Sequence, residues 1–416
     1  MRQKLHRGRR SVFRRKRHPV LRAFGMAVAC VGVVAVGFLG AKYFSEHPQL
    51  TPDTGIEQPT QSAPEDNTVP ETSQPEQTPA APVTPAPSIE EAIRGFYLPH
   101  SALSVDSLTD TSLFHDAKAA GFNAVIFDVK GADGTLYYQF SSPTAAKVGY
   151  AENALNSQQF AALMGQIREA GLVAIPRLYA FEDHLGAKAL ADARITPTGN
   201  NGWVWYDGDP QNGGRAWLNP YANAAHDYVL GLAQEMKTAG VAAVLLEGVH
   251  FPTQLSSASF GDGEHTQLAK DKVLALFVEK ARETLGSDCP VILGCTALSA
   301  LGEQTQVYGN NPLTFAPAMA APAIDPATLP QSLKLGDHTV ENDPADPAAF
   351  VEALVAQMIL RTKVMESGKQ PALVPLLQAE GYTPEQIKGE ISGCVAGGAD
   401  SYILYSPTGS YDFGAY

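Results

Sequence analysis

The sequence repeats one local pattern four times, in KAAGFNAVIFDV, REAGLVAIPRLY, KTAGVAAVLLEG and VAGGADSYILYS. Each copy ends an amphipathic helix with a glycine, which can adopt the left-handed conformation of a helix C-cap, and then enters an apolar run rich in Val, Ile and Leu. Near-continuous apolar strands that alternate with helices are typical of parallel sheets covered on both faces. The pattern therefore predicts an α/β protein built from βαβ units.

Eight such apolar runs can be counted, and eight strands close a (β/α)8 TIM barrel. The predicted strands are Arg94–Leu98, Ala124–Val129, Leu172–Leu178, Ala243–Glu247, Pro290–Gly294, Leu313–Ala318, Ala372–Leu376 and Ser401–Tyr405. A doubly wound open sheet is the alternative. Such a sheet usually has a Gly-rich phosphate loop after its first strand, and FYLPHSALS is not such a loop.

The N-terminal segment differs in composition from the predicted barrel. Residues 1–22 contain ten Lys or Arg and no acidic residue, and residues 23–41 form an uncharged apolar run of 19 residues, about long enough for a transmembrane helix. The positive-inside rule keeps the basic tail in the cytoplasm, which predicts a single-pass protein of the cell membrane with an extracellular barrel. A cleaved signal peptide is the alternative, although the apolar run is longer than a usual h-region.

The segment that follows the apolar run is dense in Pro, Thr, Gln and Glu. Residues 42–88 contain few large apolar side chains, so they cannot bury enough surface to offset the entropy lost on ordering. We expect a disordered stalk here, and the barrel domain at residues 89–416.

The net charge and the spacing of Cys and His limit which partners and cofactors the chain is expected to bind. Of the 30 Lys and Arg, ten lie in the basic tail, which leaves 20 against 43 Asp and Glu. Such an acidic outer part repels nucleic acid and favours neutral or cationic partners. The four cysteines contain no CxxC motif and the histidines have no zinc spacing, so neither a metal nor another cofactor is predicted.

Polar side chains stand where the predicted strands end, at the face that carries the chemistry of barrel enzymes. Asp128 and Lys130 lie at the end of strand two, Arg177 and Tyr179 at the end of strand three, and Glu247 at the end of strand four. Two carboxylates that flank a cleft are the minimum for glycoside hydrolysis, so Asp128 and Glu247 are the candidate catalytic pair. The alternative is structural: either carboxylate is a hydrogen-bond acceptor or an ion-pair partner for Lys130 or Arg177.

The loop after strand three, NGWVWYDGDPQNGGRAWLNPY, holds all three tryptophans of the chain. Flat apolar rings beside Asp and Asn suit sugar rings, whose C–H faces stack while their hydroxyls take hydrogen bonds. The candidate substrate-binding residues are therefore Lys130, Arg177, Tyr179, Trp203, Trp205, Trp217, Asn219, His250 and Gln378. Packing of the loop on the barrel is the alternative for the tryptophans, and packing against Phe251 is the alternative for His250.

Several short motifs in one order give the chain a family resemblance. The segments FNAVIFDVKGADGTLYY, RAWLNPYANAAHDYVLGLAQE, VLLEGVHFP, FAPAMAAP and PLLQAEGYTPEQIKGEISGCVAGGADSYILYSPTGSY resemble a bacterial family of glycosyl hydrolase-like TIM-barrel domains of otherwise unknown function. The resemblance implies a (β/α)8 barrel, membrane-anchored or secreted, that acts on cell-envelope or extracellular polysaccharide, and it includes Gln378 after strand seven.

The chain departs from that family's pattern at several strand ends. Where the family typically reads Asp-Tyr-Val-Arg-Phe-Pro after strand four, this chain reads EGVHFP, so the carboxylate is kept while the tyrosine and arginine are absent. An aspartate usual in strand five is replaced within Gly294-Cys295-Thr296, a tyrosine usual after strand six falls among Ala318 to Ala321, and an acid expected beside Gln378 is Ala379. Two function classes follow: a membrane-anchored glycoside hydrolase, or a catalytically degenerate barrel that serves as a glycan-binding or cell-envelope scaffold module.

Overall fold

The computed structural model describes residues 89, 91–103, 111–315 and 317–416. The predicted basic tail, transmembrane helix and stalk lie outside these ranges. Within them, no helix combines the length and the apolar character that a bilayer crossing requires.

Eight parallel strands close a barrel in the described part of the chain. They are β1 (Arg94–Leu98), β2 (Ala124–Lys130), β3 (Val173–Tyr179), β4 (Val244–Glu247), β5 (Val291–Thr296), β6 (Met319–Ile324), β7 (Leu376–Gln378) and β8 (Tyr402–Tyr405). Each strand pairs with the next, and β1 pairs with both β2 and β8, so the sheet has no free edge. The predicted TIM barrel is confirmed.

Helices alternate with the strands around the outside of the barrel. They are α1 (Ser112–Ala119), α2 (Pro143–Val148), α3 (Ser157–Glu169), α4 (His184–Ala189), α5 (Asn223–Thr238), α6 (Lys270–Leu285), α7 (Ala297–Ala300), α8 (Ala348–Lys363) and α9 (Pro384–Ala396). Capping boxes begin α3 at Asn156 and α9 at Thr383, which satisfies N–H groups that a helix start leaves free.

The repeated helix–glycine–strand pattern has the conformation expected from the sequence. Gly121, Gly171, Gly240 and Gly398 have φ values of 91°, 73°, 87° and 100°, in the left-handed region that glycine tolerates. Each lies between the end of a helix and the start of a barrel strand. These glycines turn the chain from the helix layer back into the sheet.

Alternation along the strands produces two apolar layers. Ile126, Ile175, Leu245, Ile292 and Ile403 point into the lumen and fill it. The intervening residues face outward and join the larger core between strands and helices. Because the lower lumen is packed with aliphatic side chains, polar groups concentrate at the carboxyl ends of the strands.

Two predicted strands are displaced in the structure. Strand six was expected at Leu313–Ala318, but Pro312–Phe315 is a 3-10 helix and β6 begins at Met319. The backbone N–H of Leu313 donates to the Asn311 side chain, a local turn that competes with strand formation.

Strand seven, expected at Ala372–Leu376, is interrupted. Ala372–Leu373 forms a short separate strand against β6, and β7 proper begins at Leu376. Pro375 stands between the two pieces, and because it has no backbone N–H it cannot donate a hydrogen bond to a neighbouring strand.

Short accessory strands brace the loops at the carboxyl end of the barrel. Leu136–Tyr138 pairs with the end of β2 and with Tyr150–Leu155 in the insertion after β2. Thr196–Pro197 pairs with Ala258–Ser259, which ties the long loop after β3 to the loop after β4. The loops that surround the mouth of the barrel therefore support one another.

Candidate active site

The mouth of the barrel is built from side chains at the carboxyl ends of β1 to β4 and β8. It contains Tyr97, Asp128, Arg177, Tyr179, Glu247 and Tyr405. Strand register brings them together: Asp128 is level with Arg177, and Tyr179 is level with Glu247. The structure thus joins both predicted catalytic carboxylates and two predicted binding residues in one site.

Asp128 is held on both of its oxygens. Arg177 donates from Nε to Oδ1 at 2.6 Å and from Nη2 to Oδ2 at 3.2 Å, and the Tyr97 hydroxyl donates to Oδ2 at 2.5 Å. The side chains of Arg177 and Asp128 are only 7% and 11% exposed, so the ion pair is shielded from water. Such a fork fixes the carboxylate in position and orientation.

Aromatic rings surround the Arg177 guanidinium. Its Cζ lies 4.3 Å from the ring centroid of Tyr97 and 5.4 Å from those of Tyr179 and Tyr405. Burial lowers the pKa of Arg177, but the charge and hydrogen bonds of Asp128, together with Tyr179 and Tyr97, outweigh burial and raise that pKa. Burial raises the pKa of Tyr97, so its hydroxyl keeps its proton and acts as a donor. The mouth therefore contains one permanent, rigidly held cation.

Glu247 is the carboxyl group in the mouth without a fixed partner. Burial raises its pKa to about 7; Arg177 lowers the pKa, while Asp128 and Glu182 raise it. Among the described residues, no hydrogen bond or ion pair engages this carboxyl. The proposed structural role of Glu247 as an acceptor for Arg177 or Lys130 is wrong, because those cations pair with other carboxylates. A carboxyl with a pKa near neutral is suited to donate and accept protons.

The turn after Glu247 requires a glycine. Gly248 has φ of 63°, and a Cβ at this position would lie 3.3 Å from atoms of Tyr179 and Glu182. The loop after β3 follows this turn closely, with the N–H of Ala180 donating to the Glu247 carbonyl at 2.7 Å. The backbone is thus fixed on both sides of the candidate acid.

His250 belongs to an aromatic cluster beside the mouth. The centroid of its ring lies 5.5 Å from the ring centroids of Trp217 and Tyr308. Its Nδ1–H donates to the backbone carbonyl of Phe251. Burial lowers the pKa of His250, so the ring is neutral near pH 7. This arrangement favours the packing alternative for His250.

Lys130 does not face the mouth, which corrects its predicted role in substrate binding. The register of β2 against β3 shifts between Asp128 and Lys130, and this irregularity turns the lysine out of the lumen. Its Nζ is fully buried, pairs with Asp183 at 2.9 Å and donates to the Tyr179 carbonyl at 2.5 Å. Lys130 therefore joins the ends of β2 and β3 from behind the site.

The three tryptophans occupy different environments. Trp203 is 68% exposed, whereas Trp205 and Trp217 are 4% and 5% exposed. The indole of Trp205 donates to the Ser256 carbonyl and that of Trp217 to the Asp207 carboxylate, both at 2.9 Å. For Trp205 and Trp217 the structure favours packing within the loop, and only Trp203 offers a ring face to a ligand.

Asn219 stabilises the loop after β3. It is 5% exposed, its amide donates to the Phe260 carbonyl, and its Oδ1 accepts from the N–H of Tyr221. These bonds join this loop to the one after β4. With both ends of its amide in use, Asn219 has a structural explanation in place of the predicted contact with substrate.

Gln378 lies at the end of β7, on the side of the mouth opposite β3. Its amide donates to the Glu380 carbonyl at 3.3 Å, and the Glu380 carboxylate accepts hydrogen bonds of 2.6 Å from Ser406 and Thr408. The hydroxyls of Ser406 and Thr408 lower the pKa of Glu380. An acidic residue thus stands two residues after Gln378, one place beyond the position where the family pattern led us to expect it.

Sequence reasoning missed several residues of the site. Tyr97 and Tyr405 contact Arg177, Tyr308 packs on His250, and Gly294 lies directly against the Glu247 carboxyl. The signal for the two mouth tyrosines is present in FYL and ILY, where each occupies an inward position at the end of a predicted strand. Tyr308 and Gly294 carry no comparable signal, because only the three-dimensional packing reveals their role.

The mouth of the barrel is open to solvent on the side of β5 and β6. Thr296 on β5 and Ala323 on β6 are exposed, and Glu247, Tyr179 and Tyr405 are partly exposed. Cavities of 270 to 610 Å³ indent other parts of the described surface, such as the one lined by Leu190 and Tyr228 and the one lined by Phe260 and Gln267. In the ranges described, no group of three or more His, Cys, Asp or Glu is arranged to hold a metal ion.

Comparison with known proteins gives a family match over most of the chain. The family model described as "Putative glycosyl hydrolase domain" matches residues 95–411. A search of curated proteins finds no match.

Solved structures resemble the chain at low sequence identity. The glycoside hydrolase domain of PelA from Pseudomonas aeruginosa is 13% identical over 77% of this chain and 96% of its own, with a TM-score of 0.38. A hypothetical protein from Ruminiclostridium thermocellum is 20% identical over 48% of this chain and 96% of its own, at 0.40. The GH20 exo-β-N-acetylglucosaminidase from Vibrio harveyi is 11% identical over 70% of this chain, at 0.43, and this chain covers 42% of its length.

Proposed function

We propose, from the premise that this chain belongs to the family of the "Putative glycosyl hydrolase domain", that it hydrolyses a polysaccharide with Glu247 as its general acid. The observation that carries the proposal is the position of Glu247. It is an unpaired carboxyl with a pKa of about 7 at the carboxyl end of a barrel strand, beside a second carboxylate that is firmly held. Environments that differ in this way commonly separate the acid from its partner in glycoside hydrolysis.

In this mechanism the protonated Glu247 donates its proton to the glycosidic oxygen as the bond to the anomeric carbon breaks. Asp128, oriented by Arg177 and Tyr97, is the second carboxylate. It acts either as the base that takes a proton from the water attacking that carbon, or as the nucleophile that forms a glycosyl-enzyme, which water then hydrolyses. After proton transfer Glu247 carries a negative charge, which the nearby Arg177 stabilises. The acidic outer part of the chain is compatible with a neutral or cationic polymer.

Replacement of Glu247 tests the proposal. Glu247→Gln keeps the shape and removes the transferable proton, so kcat on a cleaved polysaccharide should fall by roughly a hundredfold or more while KM is kept. Glu390→Gln is the matched control, because Glu390 is also buried and unpaired but lies on α9, outside the mouth. A reducing-sugar assay over a broad glycan panel measures both. Equal loss of turnover in the two variants, or no hydrolysis by the wild type, would reject the proposal.

A glycan-binding module is the second candidate. Both oxygens of Asp128 are already occupied by Arg177 and Tyr97, and the exposed ring of Trp203 offers a stacking surface. A barrel of this kind would retain a glycan without cleaving it. A glycan array run beside the reducing-sugar assay separates the two functions: binding without product in the wild type supports the module.

We also propose that the N-terminal 88 residues anchor the barrel to the outer side of the cell membrane. The support is the sequence alone: ten cations, then 19 uncharged apolar residues, then a Pro- and Thr-rich segment. A protease added to intact cells should release the domain by cutting within residues 51–87. A segment that is protected in sealed cells and cut only after lysis would reverse the proposed orientation.

A further inference from the structure

The carboxyl group of Glu247 occupies the space beside Gly294 on the neighbouring strand β5. A Cβ built on Gly294 would lie 2.3 Å from Cδ, 2.3 Å from Oε2 and 2.5 Å from Oε1 of Glu247. Real carbon atoms do not approach this closely, so any side chain at position 294 would displace the carboxyl. The glycine therefore provides the space in which the candidate acid lies.

Position 294 is a glycine because there is no space for a side chain, and not because its backbone conformation requires one. Gly294 lies within a regular strand that pairs with β6, and its φ is not in the positive region where glycine is favoured. An alanine can adopt that backbone without strain, and the atoms it would meet are at the far end of a flexible side chain. The fold should accept the added methyl group, and the carboxyl of Glu247 should move.

The position of that carboxyl sets its electrostatic environment. Arg177 attracts its charged form, whereas Asp128 and Glu182 repel it. The buried thiol of Cys295 and the hydroxyl of Tyr308 also interact with Glu247, and neither carries a charge near pH 7 because burial raises both pKa values. A displacement of about 1 Å at a reacting group can cost on the order of a hundredfold in rate.

We propose that Gly294 is a positioning residue for Glu247: the missing side chain on β5 fixes where the acid on β4 meets its substrate. The proposal rests on the proposed function of Glu247 as general acid. It also links two features of the sequence, because the glutamate that ends β4 is accommodated by the glycine in β5.

Gly294→Ala tests the proposal, with Gly95→Ala as the matched control. Gly95 is also a strand glycine, and its Cβ would lie 2.5 Å from Cδ1 of Ile126, with Ile403 and Ala124 as the next neighbours and no carboxylate among these three. Both variants should unfold within a few degrees of each other. Only Gly294→Ala should lower kcat, by about tenfold or more, and shift the titration of Glu247 in carboxyl-labelled NMR spectra by at least roughly 0.5 pH unit.

The double variant Glu247→Asp with Gly294→Ala completes the test. Aspartate is one methylene shorter, so its carboxyl should avoid the new methyl group, and the double variant should turn over several-fold faster than the product of the two single effects predicts. Unchanged turnover and titration in Gly294→Ala, or strictly multiplicative losses in the double variant, would overturn the positioning role. If the wild type cleaves no glycan, the proposed function fails, but the NMR titration still decides whether Gly294 positions the carboxyl.

Discussion

Glu247 and Glu390 both have a raised pKa and no side-chain hydrogen bond in the described part of the chain, and they differ in what surrounds them. Glu247 stands in the barrel mouth, partly exposed, beside a cation and two carboxylates, and its pKa is about 7. Glu390 lies behind β7 on α9, fully buried, and burial raises its pKa to about 9. A displaced pKa alone therefore does not identify a catalytic group. Glu247 differs from Glu390 because a ligand can reach it and because other charged groups lie nearby.

The comparison predicts that Glu390 destabilises the fold at high pH. Its carboxyl has an ordinary pKa of 4.5, and burial raises the folded pKa to about 9, an effect that the nearby Gln378 backbone offsets only in part. The contribution of the protonated Glu390 carboxyl to folding stability is fully present below about pH 4.5. It is lost progressively as pH rises toward 9. Between pH 5 and pH 8 the loss should be on the order of several kcal/mol.

Glu390→Gln should remove this pH dependence. The variant should melt at a higher temperature than the wild type at pH 8 and at nearly the same temperature near pH 4. Denaturant unfolding at several pH values measures the difference, and Glu152→Gln, at an exposed position in the insertion after β2, is the control. Parallel stability curves for wild type and Glu390→Gln would show that Glu390 has a partner in solution.

The sequence predicts the barrel and part of its mouth, but not the surroundings of every side chain. The helix–glycine–strand repeats predict the barrel because glycine conformation and apolar runs are local properties, and Asp128, Arg177, Tyr179 and Glu247 follow from the strand ends. The sequence could not show that an irregular register turns Lys130 out of the lumen, or that Trp205 and Trp217 form a small core. Those outcomes depend on contacts between residues distant along the chain, which local pattern does not encode.

Access to a ligand distinguishes the tryptophans in the same way as the glutamates. Trp203 is the exposed ring, so Trp203→Ala should weaken glycan binding by about tenfold without affecting stability, as expected for the loss of a stacked aromatic. Trp205→Ala should instead lower the melting temperature, because it opens a cavity in the cluster with Ile195 and Trp217. Isothermal titration and thermal unfolding of both variants measure the two effects. Weaker binding in a stably folded Trp205→Ala, with unchanged binding in Trp203→Ala, would contradict this assignment.

The smallest effect concerns the neighbouring charges that distinguish Glu247 from Glu390. Glu182 raises the pKa of Glu247, and it is held at 3.2 Å by Arg215 in a partly exposed ion pair. Glu182→Gln removes one negative charge, so the pKa of Glu247 should fall. If Glu247 must be protonated to act, kcat declines as pH rises through about 7 in the wild type, and this alkaline limb should move to lower pH by roughly half a unit in the variant. Glu152→Gln should leave the limb in place. A limb that moves to higher pH, or that is the same in all three proteins, would mean that another group limits the reaction.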